Sequence, residues 1–411
     1  MENSIRIIGH RQLIIIVFAR YFNLLVEYML LVATAVLMTP SDRGEYVMYM
    51  SALAFFTLIS SLAYEQYGAA IKNKYTNDFD DRNFFTFLVF YSILIGVISS
   101  IFVLFWLEGT VITSILVALN VIAMNVGRQS IVYFQVSNEA ENYFKRFILY
   151  KTLYFAAISY TVIAIKSIEI ILLFILISNV IFLHLIRAHS ANKYSKKINA
   201  SKFISDFSRV KFLYITAVIT AFYSFVDLYI IFTKLDATNL STYNLAIQLN
   251  MAVAVIGQAY NVHIYSKKES HDMAVIFLSM HKVNLFIVGL SVLCIGVVHL
   301  DVFAKTVNLI FGSEYQNLVG VIRSTIFLLP ASLVSMFYAP IWISTERYFI
   351  LMLASVSGLV LFTFSALAMV HLGLTGIIYA QYFTSIYIIL VNIVYLNYAR
   401  SRYFKINKVA S

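Results

Sequence analysis

Residues 168–187 read IEIILLFILISNVIFLHLIR, and residues 188–211 continue with AHSANKYSKKINASKFISDFSRVK. The first stretch has the length of a membrane crossing, because a helix needs about 20 apolar residues to traverse the hydrocarbon core of a bilayer. The second stretch is rich in Lys and Arg. Basic loops are retained on the cytoplasmic side of a membrane. We therefore predict a transmembrane helix followed by a cytoplasmic loop.

The rest of the chain repeats this pattern of apolar runs and short polar loops. Apolar residues make up 61% of the 411 positions and charged residues 12%, against about 45–50% and about 25% in soluble domains. Lipid can cover such a surface. Apolar runs fall at residues 12–38, 44–71, 84–107, 110–135, 144–165, 168–187, 210–234, 242–265, 282–311, 317–344, 347–370 and 372–398. We predict an all-α integral membrane protein with about 12 transmembrane helices, in which the ninth run combines one span with an interfacial segment.

The distribution of Lys and Arg predicts the orientation of these spans. Of the 30 Lys and Arg, 22 lie at the termini or in even-numbered loops, and four lie in odd-numbered loops. This bias places both termini in the cytoplasm. In a membrane protein a basic excess sets the topology rather than attracting nucleic acid, so we expect no nucleic-acid partner. The single Cys294 excludes disulfide frameworks and thiolate metal sites.

The longest loop, residues 188–209, divides the spans six and six. A weak internal repeat crosses it at offsets of 196 to 200 residues: Glu27 matches Asp227, Tyr46 matches Tyr243, and Tyr64 with Lys72 matches Tyr260 with Lys268. Both halves enter the membrane in the same sense, which predicts a duplication about an axis along the membrane normal. The expected domains are an N-terminal six-helix bundle at 1–187, a cytoplasmic basic linker at 188–209, a C-terminal six-helix bundle at 210–398 and a cytoplasmic tail at 399–411.

Charged residues inside spans indicate functional positions, because a charge at the bilayer centre costs about 2.5–3.5 kcal/mol on insertion scales. Arg20, Asn23 and Glu27 share one face of the first span. The seventh span carries a similar polar stripe, formed by Thr216, Thr220, Tyr223 and Asp227. We expect the two stripes to line a central cavity, with Glu27 or Asp227 binding the coupling ion, H⁺ or Na⁺. The alternative for both carboxylates is a structural hydrogen bond inside a bundle.

A larger set of polar residues forms the candidate substrate-binding site. Arg20 either holds an anionic substrate through its planar fork or pairs with Glu27. The other candidates are Asn23, Tyr223, Gln248, Asn250, Gln258, Arg323 and Arg128. Amides suit hydroxyl-rich ligands and equally suit hydrogen bonds between helices. Arg128 and Lys151 lie near the cytoplasmic ends of their spans, where extension of the side chain to the headgroups is the preferred interpretation and contact with the substrate is the alternative.

Sequence motifs for catalysis or cofactor binding do not occur. The His residues lack metal-ligand spacing, and no Gly is followed by Lys, so the chain contains no P-loop and does not itself hydrolyse ATP. We expect no catalytic residues, no metal site, no cofactor other than the coupling ion, and no enzyme activity. Transport energy then comes from an ion gradient, from the gradient of the substrate, or from a partner.

Four segments resemble elements of the Wzx-type polysaccharide flippases. Residues 39–46 (TPSDRGEY) resemble the turn that opens their second span, and residues 240–246 (LSTYNLA) resemble the matching stretch of their second half. Residues 311–315 (FGSEY) are similar to an element of their outer loop, and residues 143–145 (YFK) to the entry of their fifth span. The chain departs from this pattern at Ser241, where those proteins often have Gly. The flippases belong to the multidrug/oligosaccharidyl-lipid/polysaccharide (MOP) superfamily, together with the MATE multidrug exporters.

The resemblance implies two six-helix bundles around a cationic cavity that works by alternating access. The implied cargo is an undecaprenyl-pyrophosphate-linked oligosaccharide, an O-antigen or capsule repeat unit, moved across the bacterial cytoplasmic (inner) membrane. Implied partners are the lipid-linked oligosaccharide, the phospholipid bilayer, and the polymerase and chain-length machinery of the same pathway. One alternative is a MATE-like H⁺- or Na⁺-coupled exporter of small molecules, which favours an acidic, aromatic cavity. A membrane enzyme such as an O-antigen polymerase is a weaker alternative, because it needs a large outer loop.

Overall fold

A computed structural model describes residues 2–62, 81–136, 140–165, 167–190, 199–266, 273–344 and 348–409. Side chains are described for fewer residues, and those of Arg20, Arg128 and Gln258 are outside that set. All regular structure in these ranges is helical. The α-helices are α1 (Glu2–Leu37), α2 (Pro40–Ser60), α3 (Asp81–Trp106), α4 (Val111–Val136), α5 (Ala140–Ala164), α6 (Ile168–Ser190), α7 (Ala200–Lys234), α8 (Ala237–Ser266), α9 (Met273–His299), α10 (Asp301–Phe311), α11 (Leu318–Thr325), α12 (Leu329–Ser344), α13 (Tyr348–Met369) and α14 (Leu374–Val409).

These helices confirm the predicted all-α membrane fold. Within the part of the chain that is described, eight helical stretches are long and apolar enough to cross a bilayer, and one of them, Leu318–Ser335, combines α11, a 3₁₀ turn and the start of α12. Many large apolar side chains point outward, including Phe105 at 71%, Val292 at 65% and Phe364 at 72% exposure. A soluble fold would bury such side chains, because each fully buried one contributes about 1.5–3 kcal/mol. Such exposure is expected of helices whose outer surface is covered by lipid.

The ninth and tenth apolar runs each contain two helices. The span α9 ends at His299, and α10 follows directly as an eleven-residue helix that buries Val307 and Phe311 and exposes Leu309. In the tenth run, α11 and α12 are joined by a 3₁₀ turn at Ile326–Leu328. Pro330 follows this turn and has no backbone N–H to continue the regular α-helical pattern. The 3₁₀ turn instead satisfies the Ile326 carbonyl through the N–H of Leu329.

The chain divides into two compact units, Met1–Phe225 and Val226–Ser411. In the first unit, α1 packs on α5 and α5 on α6, while α4 packs on α3 and α6. In the second unit, α8 packs on α11 and α12, and α13 packs on α14. The predicted linker at 188–209 includes residues 191–198, which lie outside the described ranges, so the domain limits stay a prediction.

The first part of α7 belongs to the first unit because it packs against α3. Phe203 stacks on Phe87 with ring centroids 3.6 Å apart, and the hydroxyls of Tyr91 and Tyr214 lie 2.9 Å apart. The side chain of Asn83 on α3 also bonds to the backbone of Asn199, just before α7. These contacts join the first part of α7 to the first compact unit.

Two of the segments that carried the family resemblance form turns at helix boundaries. The hydroxyl of Thr39 accepts a hydrogen bond from the N–H of Asp42 at 3.2 Å and caps α2, with Pro40 at its first position. Gly312 ends α10 with a φ of 72°, a conformation that favours glycine. The repeat positions Tyr64, Lys72 and Lys268 lie outside the described residues.

Candidate functional site

A buried carboxylate on α7 connects three helices of the second unit. Asp227 is 7% exposed. Its Oδ2 accepts hydrogen bonds from the Tyr243 hydroxyl on α8 and from the Gln381 amide on α14, both at 3.0 Å. Its Oδ1 accepts the N–H of Leu228 at 2.8 Å. Gln381 also donates to the Tyr243 oxygen, so the three side chains form a closed triangle, here called the Asp227 triad.

Two opposing effects act on the negative charge of Asp227. Burial opposes an isolated negative charge because the protein interior solvates it less well than water does. Three donors to the carboxylate stabilise that charge. All three donors are neutral groups, so they offset the burial without forming an ion pair. A carboxylate in this balance can bind and release a proton or a small cation.

A second set of hydrogen bonds ties the same helices to the tenth span. Tyr382, which follows Gln381 on α14, donates its hydroxyl to the backbone carbonyl of Ser324 on α11. Asn250 on α8 donates its amide to the Thr325 hydroxyl at 2.7 Å. Asn250 was predicted as a substrate ligand from its residue type. In the structure its buried amide joins α8 to α11.

The predicted ligand Arg323 lies at the end of a neighbouring helix. Its Nε donates to the carbonyl of Val298 at 3.3 Å, and its Nη2 to the carbonyl of His299 at 3.4 Å. These carbonyls belong to the last turn of α9, where no further helical N–H is available to them. A cationic side chain is favourable there because the C-terminal end of a helix carries partial negative charge.

In the first unit, Glu27 on α1 brings together Asn23 and Lys151. The Asn23 amide donates to Glu27 Oε1 at 2.7 Å, which confirms that these two side chains share one face. The ammonium of Lys151 on α5 lies 3.8 Å from the same oxygen. The Lys151 side chain is 13% exposed, whereas that of Glu27 is 55% exposed. Lys151 therefore lies against α1 and pairs with Glu27, a contact that the sequence analysis did not include.

The remaining predicted ligands are only partly placed. Arg20 lies on α1, Arg128 on α4 and Gln258 on α8, but their side chains are outside the described set, so their roles stay predictions. Tyr223 is half-buried on α7, and Gln248 is exposed on α8. On the predicted stripe of α7, the hydroxyls of Thr216 and Thr220 donate to carbonyls one turn earlier in the same helix.

The sequence analysis did not assign to the site three residues that contact the two carboxylates. Tyr243 was noticed only as a repeat position, and Gln381 was not considered. Gln381 is one of few amides in the apolar α14, which is a signal that could have identified it. Lys151 was recognised as intramembrane, but its pairing with Glu27 depends on the contact between α1 and α5. Among the described residues, no group of three or more His, Cys, Asp or Glu side chains could hold a metal ion.

The fold is similar to that of solved MATE transporters. A eukaryotic MATE transporter, AtDTX14, matches with a TM-score of 0.63 at 11% sequence identity over 95% of each chain. A variant of the MATE transporter VcmN from Vibrio cholerae matches with a TM-score of 0.63 at 12% identity, over 96% of this chain and 98% of the other. An inward-facing multidrug resistance MATE family transporter of the MOP superfamily matches with a TM-score of 0.62 at 13% identity, over 93% and 96%.

These similarities establish the fold. The chain has many helices that are long and apolar enough to cross a membrane, and its fold is that of solved MATE transporters. No protein-family model and no curated protein sequence matches it. At such low sequence identities the likeness concerns the fold and not the cargo.

Proposed function

We propose that the chain is an ion-coupled exporter that flips an undecaprenyl-pyrophosphate-linked oligosaccharide across the bacterial inner membrane by alternating access. The fold supports membrane transport, and the Wzx-like segments support this cargo. Two of those segments, residues 240–246 and 311–315, touch each other, because the hydroxyls of Ser241 and Tyr315 lie 3.1 Å apart. The hydroxyl of Ser241 thus makes a contact that the Gly common in the family could not make.

The observation that carries the coupling proposal is the Asp227 triad. A buried carboxylate held by neutral donors from two further helices changes its hydrogen bonds when it binds a proton or Na⁺. A protonated carboxyl group donates one hydrogen bond, whereas the ionised form only accepts. Loading the site therefore reorganises contacts among α7, α8 and α14. Such a change biases an equilibrium between two conformations, which alternating access requires. Glu27 is the second candidate for coupling.

The charge distribution of the loops supports the proposed orientation, and the resemblance to the flippases supports the bacterial setting. We place both termini in the cytoplasm of a bacterial cell and the chain in its inner membrane. The cargo would be loaded from the inner leaflet and released to the polymerase and chain-length machinery outside. Basic residues on the cytoplasmic side favour the approach of an anionic pyrophosphate. The export step itself needs no covalent chemistry.

The second candidate function is export of small molecules by an H⁺- or Na⁺-coupled, MATE-like mechanism. The solved structures with this fold are described as MATE transporters, one of them as a multidrug resistance transporter. The Asp227 triad serves this function equally well. The two candidates differ in the cargo, and an experiment on the cargo distinguishes them.

The test is deletion of the gene in its bacterium, followed by complementation with the wild type, Asp227→Asn or Asp236→Asn. Asp236 is an exposed acid two residues after the end of α7 and is the matched control. We expect deletion to abolish surface polysaccharide, the control to restore it, and Asp227→Asn to restore little at equal protein level. Unchanged polysaccharide with increased sensitivity to lipophilic cations would contradict the flippase proposal and support the exporter of small molecules.

A further inference from the structure

We infer that Lys151 is the anion-binding residue of the N-terminal half and that Glu27 is its displaceable counter-ion. The ligand class is a phosphate or pyrophosphate ester. This inference rests on the proposed function and assigns one residue to the charged part of the cargo. It adds Lys151 to Arg20 and Arg128, which the sequence analysis names as the candidates for that charge in this half.

Lys151 is held in a cage of three aromatic rings. Its ammonium lies 5.8 Å from the ring centroid of Phe147, 5.7 Å from that of Tyr150 and 5.2 Å from that of Tyr154. A cation within about 6 Å of a ring centroid is attracted by the negative face of the ring. The rings thus favour a charged ammonium at a fixed place, although the side chain is largely buried. A fixed positive charge with limited hydration is well suited to hold an anion.

The cage is itself fixed by a chain of buried hydrogen bonds. The Tyr150 hydroxyl donates to Asn179 Oδ1 at 2.8 Å. Asn179 donates to Asn120 Oδ1 at 3.2 Å, and Asn120 donates to the carbonyl of Leu172 at 2.9 Å. The chain links α5, α6 and α4, so the position of the Tyr150 ring is determined by three helices. A site that is ordered before binding loses less entropy when the ligand arrives.

The ion pair between Lys151 and Glu27 is long, and its carboxylate partner is exposed. Glu27 Oε1 and the Lys151 ammonium are 3.8 Å apart, whereas charge-assisted N–H···O bonds are about 2.7–2.9 Å long. Glu27 is 55% exposed, so its carboxylate is not enclosed by the protein and can leave the pair without disrupting the packing of the bundle. A pyrophosphate carries more charge and more acceptor atoms than one carboxylate. It therefore competes favourably for Lys151, and the amide of Asn23 can then donate to a ligand oxygen.

A structural ion pair and a displaceable counter-ion predict opposite effects for one substitution. If the pair only stabilises the bundle, loss of either charge leaves the other charge poorly compensated, and removal of both restores function. If Glu27 competes with the ligand, Glu27→Gln strengthens anion binding. Gln keeps an oxygen that can accept the hydrogen bond from Asn23, so this variant removes the charge and little else.

The experiment measures binding of farnesyl pyrophosphate, with uncharged farnesol as reference, to the purified full-length protein in detergent. We expect Lys151→Met to weaken binding about tenfold or more and Glu27→Gln to strengthen it about threefold, because one removes the ligand's partner and the other its competitor. Lys145→Met removes an exposed charge from the same helix and should leave the Kd unchanged. The gain expected for Glu27→Gln requires a folded protein, and thermal unfolding of every variant checks this.

The outcomes separate this inference from the proposed function. If Glu27→Gln weakens binding as Lys151→Met does, and the double variant recovers it, the pair is structural and the inference is wrong. If wild type binds the probe and Lys151→Met binds it equally well, another residue holds the anion, although the proposed cargo stands. If wild type binds tetraphenylphosphonium but not farnesyl pyrophosphate, the proposed cargo is overturned together with this inference.

Discussion

Replacing Tyr243 with Phe tests the charge of the Asp227 triad directly. The substitution removes one hydroxyl, which donates to Asp227 Oδ2 at 3.0 Å and accepts from Gln381, and leaves the fully buried ring in place. The bond from Gln381 is lost in both backgrounds compared below, so the difference between them reports the bond to Asp227. Asp227 accepts from Tyr243, Gln381 and Leu228, and this arrangement suits an ionised carboxylate, which only accepts. We therefore predict that Asp227 is ionised in this conformation and that Tyr243 donates its hydrogen bond to a charged oxygen.

The magnitude follows from that charge. A hydrogen bond to a charged group contributes about 1.5–3 kcal/mol, whereas interhelical hydrogen bonds in a membrane protein average about 0.6 kcal/mol and reach about 1.7. Tyr243→Phe should therefore lower the free energy of unfolding by about 1.5–3 kcal/mol in the wild-type background. In the Asp227→Asn background the loss should fall to about 0.6 kcal/mol, because the acceptor is then neutral.

The assay is reversible unfolding of the purified protein in mixed micelles, with the four proteins of the cycle compared under one condition. Tyr382→Phe is the matched control, because its hydroxyl donates to the neutral carbonyl of Ser324. Its cost should be the same in both backgrounds. Equal losses for Tyr243→Phe in the two backgrounds would refute the prediction that Asp227 is ionised in this conformation.

Two further predictions concern packing and topology. A Cβ added at Gly376 would lie 1.9 Å from the carbonyl oxygen of Met369, so Gly376→Ala should lower the free energy of unfolding by about 1–3 kcal/mol. Gly289→Ala is the control and should not lower it, because nothing lies within 4 Å of the added atom. Equal stability of the two variants would show that the turn before α14 adjusts freely. The topology prediction uses a variant in which Cys294 is replaced. In this background, the thiol of Lys197→Cys should react with membrane-impermeant reagents only after the cells are opened, whereas that of Glu314→Cys should react in intact cells. Labelling of the first in intact cells would reverse the orientation.

The spans could be predicted from the sequence because the bilayer constrains each of them locally. A helix must supply enough apolar residues to cross the hydrocarbon, and this requirement is visible in any stretch without knowledge of its neighbours. The division of the ninth run into α9 and α10 follows from the same length argument. The 3₁₀ turn at Ile326–Leu328 was not predicted. Its position depends on which N–H groups bond to the carbonyls that Pro330 leaves without an α-helical donor.

The sequence identified the two carboxylates of the candidate site but not the groups that contact them. A carboxylate in an apolar span is conspicuous by its cost, so Glu27 and Asp227 were identified from their positions alone. The groups that offset this cost come from other helices: Gln381 is 154 residues away from Asp227, and Lys151 is on the fifth helix while Glu27 is on the first. Hydropathy fixes which stretches are helices and says little about which helices touch. The sequence by itself thus determined the all-helical membrane fold and the approximate places of its helices, and packing alone decided which donors meet each carboxylate.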